Sequence, residues 1–134
     1  MKNDDCIFHL LNKAARSAGK HWHSRVKDLQ LTATQAKVLT FMLDLSNPTS
    51  QQLAEHCALD NATLTGVIDR LLNLQLVERK PSDSDRRVLH INYSEQGREI
   101  AEQLKSRQQP ANEEFLTALT NAEQQQLRQL LQKL

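Results

Sequence analysis

Residues 48–93 constrain the fold more than any other stretch. Thr49 followed by Gln52 is a capping-box pattern, in which each side chain satisfies an otherwise unpaired amide at a helix start. It opens a short segment, SQQLAEHC, with Leu53, Ala54 and Cys57 on its inward side. Ala58 and Leu59 make a turn, and Asp60 is a good N-cap for the next helix. There Leu64, Val67, Ile68, Leu71 and Leu72 recur at helical spacing as the expected buried stripe, while Asn61, Ala62, Thr65, Gly66, Asp69 and Arg70 form a face of low bulk. Residues 76–80 and 88–93 read as strands. In the second, Leu89, Ile91 and Tyr93 alternate with His90 and Asn92, so one face is expected to be buried. The connection, PSDSDRR, is polar and basic. Helix, turn, helix and hairpin in this order make a winged helix-turn-helix, a layout that sets one helix in a DNA major groove with the hairpin beside it.

The flanks read as helices. Ile7, Leu11, Ala14, Ala18, Trp22, Val26 and Leu29 recur three or four residues apart, the spacing of one long helical face. Thr32 with Gln35 is a second capping box, opening a helix that carries Val38, Leu39, Met42 and Leu43 and that Asn47 and Pro48 are expected to stop. Ser94 caps a further helix with Ile100, Leu104, Ala111, Phe115 and Leu119, which Pro110 is expected to kink or break. Thr120 with Glu123 opens a last helix striped by Leu127, Leu130, Leu131 and Leu134. With three glycines, three prolines and 4% aromatics, the expected class is mainly α with a small β-hairpin. The expected organisation is one domain over residues 1–134: a winged helix-turn-helix lobe at 32–93, flanked by long helices at 4–29 and 94–134.

Several functions are excluded. The net charge of +1 gives no global signature for nucleic acid, but Arg70, Arg79, Lys80, Arg86 and Arg87 cluster around the hairpin, with Glu78, Asp83 and Asp85 among them. Cys6 and Cys57 lie far apart, which suggests no disulfide framework and a reducing, cytoplasmic setting. The start, MKNDDCIFHLL, lacks the apolar region of a signal peptide, and the longest apolar run, near 38–43, is too short to cross a bilayer, so no membrane partner is expected. Cys6 and His9 have helical ligand spacing, but His21 and His23, like His56 and Cys57, point to different sides of a helix, and no further cluster completes a site. Neither metal nor cofactor is expected. No Ser/His/Asp set, paired carboxylates or phosphate loop points to an enzyme.

LTATQAKVL, and then TSQQLAEHCALDNATLTGVIDRLLNLQLVERKPSDSDRRVLHINYSEQG, resemble the MarR family of bacterial transcriptional regulators. The resemblance covers nearly the whole chain and is most specific over residues 53–97. It implies a homodimer formed by interlocked terminal helices, each subunit presenting a winged helix-turn-helix to a palindromic operator in double-stranded DNA. It further implies repression relieved by a small aromatic or otherwise amphipathic ligand. One branch of the family senses oxidants through a cysteine near the start of its first helix. Aligning Arg16 and the Leu31-Thr32 junction with that branch puts Phe8, not Cys6, at that position. The alternative is a protein-binding winged-helix adaptor or anti-regulator that leaves DNA alone, a reading kept open by the near-neutral charge and by the glycine, rather than arginine, at Gly66.

The resemblance assigns DNA contact to Asn61, Ala62, Thr63, Thr65, Gly66 and Arg70, with Thr63 and Thr65 donating their hydroxyls and Arg70 either reaching a phosphate or pairing with Asp69. Gly66 departs from relatives that carry arginine there, and Gln75 from relatives that carry glycine. At the hairpin, Lys80, Ser84, Asp85, Arg86 and Arg87 join the set. Asp85 can orient the Arg87 guanidinium by a bidentate bond toward a narrow minor groove, and Arg86 is the phosphate contact. The competing reading is a solvated hairpin whose ion pair adds about 0–1 kcal/mol. Ser50 and Gln51 either meet a phosphate or serve capping alone. Ile7, Leu10, Leu11, Phe115, Leu116, Leu119, Leu127, Leu130, Leu131 and Leu134 are the expected dimer contacts, since leaving such side chains in water forfeits about 1.5–3 kcal/mol each. The alternative is that the two helices pack on one another within one chain. Trp22, His21 and Arg25 either line a ligand cleft or, for Trp22, belong to the core.

Overall fold

Every helix start that the sequence marks with a cap is found there in the computed structural model, which describes residues 1–134. The helices are α1 (Ile7–Val26), α2 (Ala33–Phe41), α3 (Ser50–Cys57), α4 (Asn61–Asn73), α5 (Glu95–Phe115) and α6 (Asn121–Leu131). The strands are β1 (Val77–Pro81) and β2 (Leu89–Tyr93). Both halves of the capping box form at Thr32/Gln35, Thr49/Gln52 and Thr120/Glu123, Asp60 caps α4, and Ser94 Oγ accepts the Gly97 amide at 3.0 Å. The class is therefore mainly α with one two-stranded antiparallel hairpin, a winged helix-turn-helix with helical flanks. No helix is long and apolar enough to cross a membrane.

The chain divides into two compact units, Val26–Ser106 and the combination of Met1–Arg25 with Arg107–Leu134. In the first, Leu39, Leu53, Leu64, Ile68, Leu71, Ile91 and Leu104 are fully buried. These are the inward positions of α2, α3, α4, β2 and α5, so one core holds the helix pair and the hairpin together. Strand pairing runs from Val77↔Tyr93 to Pro81↔Leu89. The hairpin is also tied to the entrance of α3: the Ile91 amide donates to the Pro48 carbonyl at 2.8 Å, and Thr49 bridges His90. The Tyr93 hydroxyl donates to the Leu39 carbonyl, and burial raises its pKa.

Four expectations are corrected. Leu89 does not share the buried face with Ile91; it is exposed, because its partner Pro81 is the last paired residue toward the tip, beyond the helices that cover the hairpin's base. Leu72 is only half-buried. α2 ends at Phe41, followed by a 3₁₀ turn over Met42–Asp44, so Asn47 and Pro48 shape the entrance to α3 rather than stop α2. α5 continues through Pro110, so the expected break does not occur there. A proline inside a helix costs about 3 kcal/mol through the lost amide bond and the ring clash. Here Ala111 is buried beside it, and its carbonyl meets His21 Nε2 at 3.1 Å, so packing holds the helix through the defect.

Gln75 ends α4 with φ 59°. The Leu76 amide reaches back to the Leu71 carbonyl and the Gln75 amide to that of Leu72, the paired bonds of a Schellman cap. A glutamine there accepts left-handed strain that glycine avoids, about 1–2 kcal/mol, against the extra freedom glycine has when unfolded. Gln75→Gly should therefore stabilise the fold by about 0.5–1 kcal/mol, read from the urea midpoint. A lower midpoint would mean that the Gln75 side chain contributes contacts outweighing the strain.

In the second unit, His21 also stacks near Phe115 with ring centroids 5.6 Å apart, Arg25 pairs with Glu114, and the Arg107 guanidinium donates to the Arg25 carbonyl at 2.9 Å. Gln124 Nε2 donates to the carbonyls of Leu116 and Leu119. The apolar stripes stay uncovered in the single chain: Ile7, Leu10, Phe115, Leu127, Leu130, Leu131 and Leu134 are exposed, and Leu11, Leu116 and Leu119 half-buried.

Candidate nucleic-acid interface

The outward face of α4 is exposed at Asn61, Ala62, Thr63, Thr65, Gly66, Asp69 and Arg70. Its hydroxyls are already committed. Thr63 gives both its amide, at 2.7 Å, and its hydroxyl, at 2.8 Å, to the Asp60 carboxylate, which these bonds hold below the usual carboxylate pKa. Thr65 donates to the Asn61 carbonyl at 2.8 Å. The expectation that both threonines donate outward is thus corrected, since their lone pairs, not their protons, face solvent. The donors on this face are the Asn61 amide and the Arg70 guanidinium.

Asp69 pairs with Arg79 of β1 at 2.7 Å, not with Arg70, and no ion pair of the structure engages Arg70. Arg79 is thereby a structural tie between α4 and the hairpin, and Arg70 is left without a carboxylate partner. A Cβ at Gly66 would meet nothing within 4 Å, so no packing demands glycine there. Gly66→Ala should raise stability by about 1 kcal/mol, the helix-propensity difference, as measured by thermal unfolding. An unchanged or lower melting temperature would point to backbone strain at this position. Ser50 and Gln51 sit in the first turn of α3, half-buried and exposed respectively. The cap is made by Thr49 with Gln52, so capping does not account for either residue.

The hairpin tip is built around Asp85. Its carboxylate accepts Arg87 Nε and Nη2, both at 3.2 Å, and the Arg87 backbone amide at 3.0 Å. The side-chain bonds, then the backbone bond, hold the carboxyl below its ordinary pKa, so it stays ionised at neutral pH. Its carbonyl accepts the Val88 amide at 3.0 Å, and the Ser82 amide closes the loop on the Val88 carbonyl at 2.8 Å. The guanidinium so aimed is 91% exposed. Arg86 beside it is exposed and enters no ion pair. Lys80 leans on Glu78 at 3.8 Å, and Ser84 Oγ bonds Ser82 Oγ at 3.0 Å, so both are partly spoken for.

A network that sequence reasoning missed anchors this tip. His90 Nδ1 lies 2.7 Å from the Asn47 carbonyl, and Asn92 Nδ2 donates to Asn47 Oδ1 at 3.0 Å. Asn47 has φ 49°, a conformation that asparagine tolerates better than most residues. It holds β2 to the loop before α3 and so fixes the hairpin beside the helix pair. Local patterns carry no signal of it, because the partners lie more than forty residues apart.

Other candidate residues lie elsewhere. His21 and Arg25 engage Ala111 and Glu114, and Trp22 is half-buried. Cys57 is buried, which pushes its thiol pKa up and disfavours the reactive thiolate, as expected of a packing cysteine. No group of three or more His, Cys, Asp or Glu side chains is placed to hold a metal ion.

Comparison with known proteins gives consistent matches. The MarR family model matches residues 31–89. The chain is 34% identical over 107 residues to the multiple antibiotic resistance protein MarR of Salmonella typhimurium, covering 79% of this chain and 74% of that protein. It is 31% identical over 91 residues to the HTH-type transcriptional repressor NicR of Pseudomonas putida, a match covering 68% of this chain but only 58% of NicR. Among solved structures, Bordetella bronchiseptica BpsR, described for regulation of its DNA binding by 6-hydroxynicotinic acid, superimposes with a TM-score of 0.91 at 26% identity. That match covers 99% of this chain and 95% of BpsR.

Proposed function

The chain belongs to the MarR family, and from that premise we propose that it is a sequence-specific DNA-binding transcriptional regulator, a homodimeric repressor released from a palindromic operator by a small aromatic acid. The observation that carries this reading is the Asp85-clamped, exposed Arg87 at the tip of a hairpin tied to the α3–α4 pair. A charge that served only solubility would need no such clamp. In the complex α4 lies in the major groove, where the Asn61 amide can pair with adenine and the threonine lone pairs can accept from cytosine. Arg87 enters the adjoining minor groove, Arg86, Arg70 and Lys80 meet phosphates, and Ser50 and Gln51 bring the start of α3 to the backbone. Ser84 keeps the turn compact. With no arginine at Gly66, discrimination rests on these contacts together with duplex shape.

The uncovered apolar side chains of α1, α5 and α6 support association with a second copy, the whole chain acting as one functional unit. Two half-sites roughly 34–36 Å apart must then be met together, so small changes in the spacing of two α4 helices alter affinity strongly. A ligand that binds the wrongly spaced conformer more tightly shifts the population away from DNA by its differential affinity. The ligand named for BpsR supports an aromatic acid, with His21, Trp22 and Arg25 as the residues to test. Selection of bound duplexes from random DNA, followed by affinity against salt, tests the proposal. Phosphate contacts release counterions, so log affinity should fall with log salt by about 0.9 per contact. A flat response would contradict it and favour the protein-binding alternative.

A further inference from the structure

The first helix carries a second positively charged surface. From Ile7 to Val26 it contains no aspartate or glutamate. His9, Lys13, Arg16, Lys20 and His23 follow one another at spacings of four, three, four and three, so they share one face about 21 Å long at 1.5 Å per residue. All five are exposed, on the side opposite Leu11, Ala18, Trp22 and Val26, which are buried to varying degrees. None of the five enters an ion pair, so no carboxylate offsets the charge along this face. The chain's overall charge is only +1, so an unbalanced stripe of this length is a local concentration of charge rather than a general excess.

We infer that the outer face of α1 is a phosphate-docking surface for duplex DNA, separate from the α4 and hairpin contacts and indifferent to sequence. The inference rests on the DNA-binding reading above. A helix that lies on a lipid surface must offer its apolar side. In α1 the side bearing His21 and Trp22 is turned into its own unit, where His21 meets Ala111 and Phe115. The exposed apolar residues Ile7, Phe8 and Leu10 are confined to its first turn. What the middle of the helix presents is three fixed cations separated by a turn each, with no hydrophobic wedge, and a regular row of phosphates is the chemistry that matches it.

The test uses the full chain with Lys13, Arg16 and Lys20 all changed to Gln, and a control carrying Lys13→Arg, Arg16→Lys and Lys20→Arg. Affinity for a random-sequence duplex and for a selected operator is measured against salt. The triple glutamine variant should flatten the log–log slope by about 2.7 per protomer on both duplexes, at about 0.9 per lost phosphate. It should weaken random-duplex binding at least tenfold at low salt, while circular dichroism stays unchanged and the charge-keeping control binds like the parent. A parent that binds duplex with a slope the triple variant leaves intact overturns the inference and leaves the operator reading standing. A parent that binds no duplex at all removes both. Charge-dependent binding to phosphatidylserine vesicles, with an unaltered DNA slope, overturns it in favour of a membrane surface.

Discussion

Arg87→Ala should weaken operator binding by about 30-fold or more while leaving the unfolding midpoint within error of the parent. A well-placed arginine contact to DNA is worth about 1–3 kcal/mol, on the scale of bidentate base discrimination, and the proposed dimer would lose two of them. The side chain is 91% exposed and touches little but Asp85, so its removal costs the fold almost nothing. Asp85→Ala separates orientation from charge. If the hairpin acted only as a positive patch, deleting a negative charge from it would strengthen DNA binding. Because the two Asp85 oxygens fix the direction of the guanidinium, Asp85→Ala should instead weaken binding, though less than Arg87→Ala. Fluorescence anisotropy on the selected operator measures both, and tighter binding by Asp85→Ala would sink the clamp.

The largest effect on stability should come from Gly97→Ala. A Cβ at this position would lie 1.8 Å from the Leu76 carbonyl oxygen and 2.7 Å from its carbon. Both are backbone atoms, and neither is free to move. The Leu76 carbonyl accepts the Ser94 amide at 3.1 Å, Leu76 is buried, and Gln75 before it is already held at a left-handed φ with its carbonyl bound by Ser94 Oγ. The end of α4, the lead into β1 and the first turn of α5 meet at this point. Overpacking costs about 1–3 kcal/mol and more where the backbone must shift, which exceeds the roughly 1 kcal/mol that alanine gains over glycine in a helix. We expect a net loss of about 3 kcal/mol and a melting temperature lower by about 10 °C. A variant as stable as the parent would contradict the close approach of α5 to Leu76.

What was legible in the sequence was what short-range physics decides. Capping boxes join residues three apart, so Thr32, Thr49 and Thr120 announced their helices, and α3 has the bounds of the segment SQQLAEHC. The Asp85–Arg87 clamp was readable for the same reason, its partners being two residues apart. Features decided by tertiary approach were not. Asp69 had Arg70 as its neighbour in sequence, but the strand that follows α4 brings Arg79 closer, and this frees Arg70. Thr63 and Thr65 read as outward donors, yet each finds an internal acceptor within one helical turn, so in the free chain their hydroxyl protons are directed inward. Pro110 carries a local rule against helix, and packing at Ala111 and His21 overrides it. The Asn47, His90 and Asn92 network and the role of Gly97 depend on chain segments that periodicity cannot pair.

Whether two copies of this chain grip one duplex is tested most directly by hydroxyl-radical footprinting of the selected operator. Two protected patches should appear, related by two-fold symmetry and centred about 10–10.5 base pairs apart, or a multiple of that spacing. Each should be flanked by minor-groove protection that disappears with Arg87→Ala. A single unsymmetrical patch, or flanking protection that survives loss of Arg87, would contradict that arrangement.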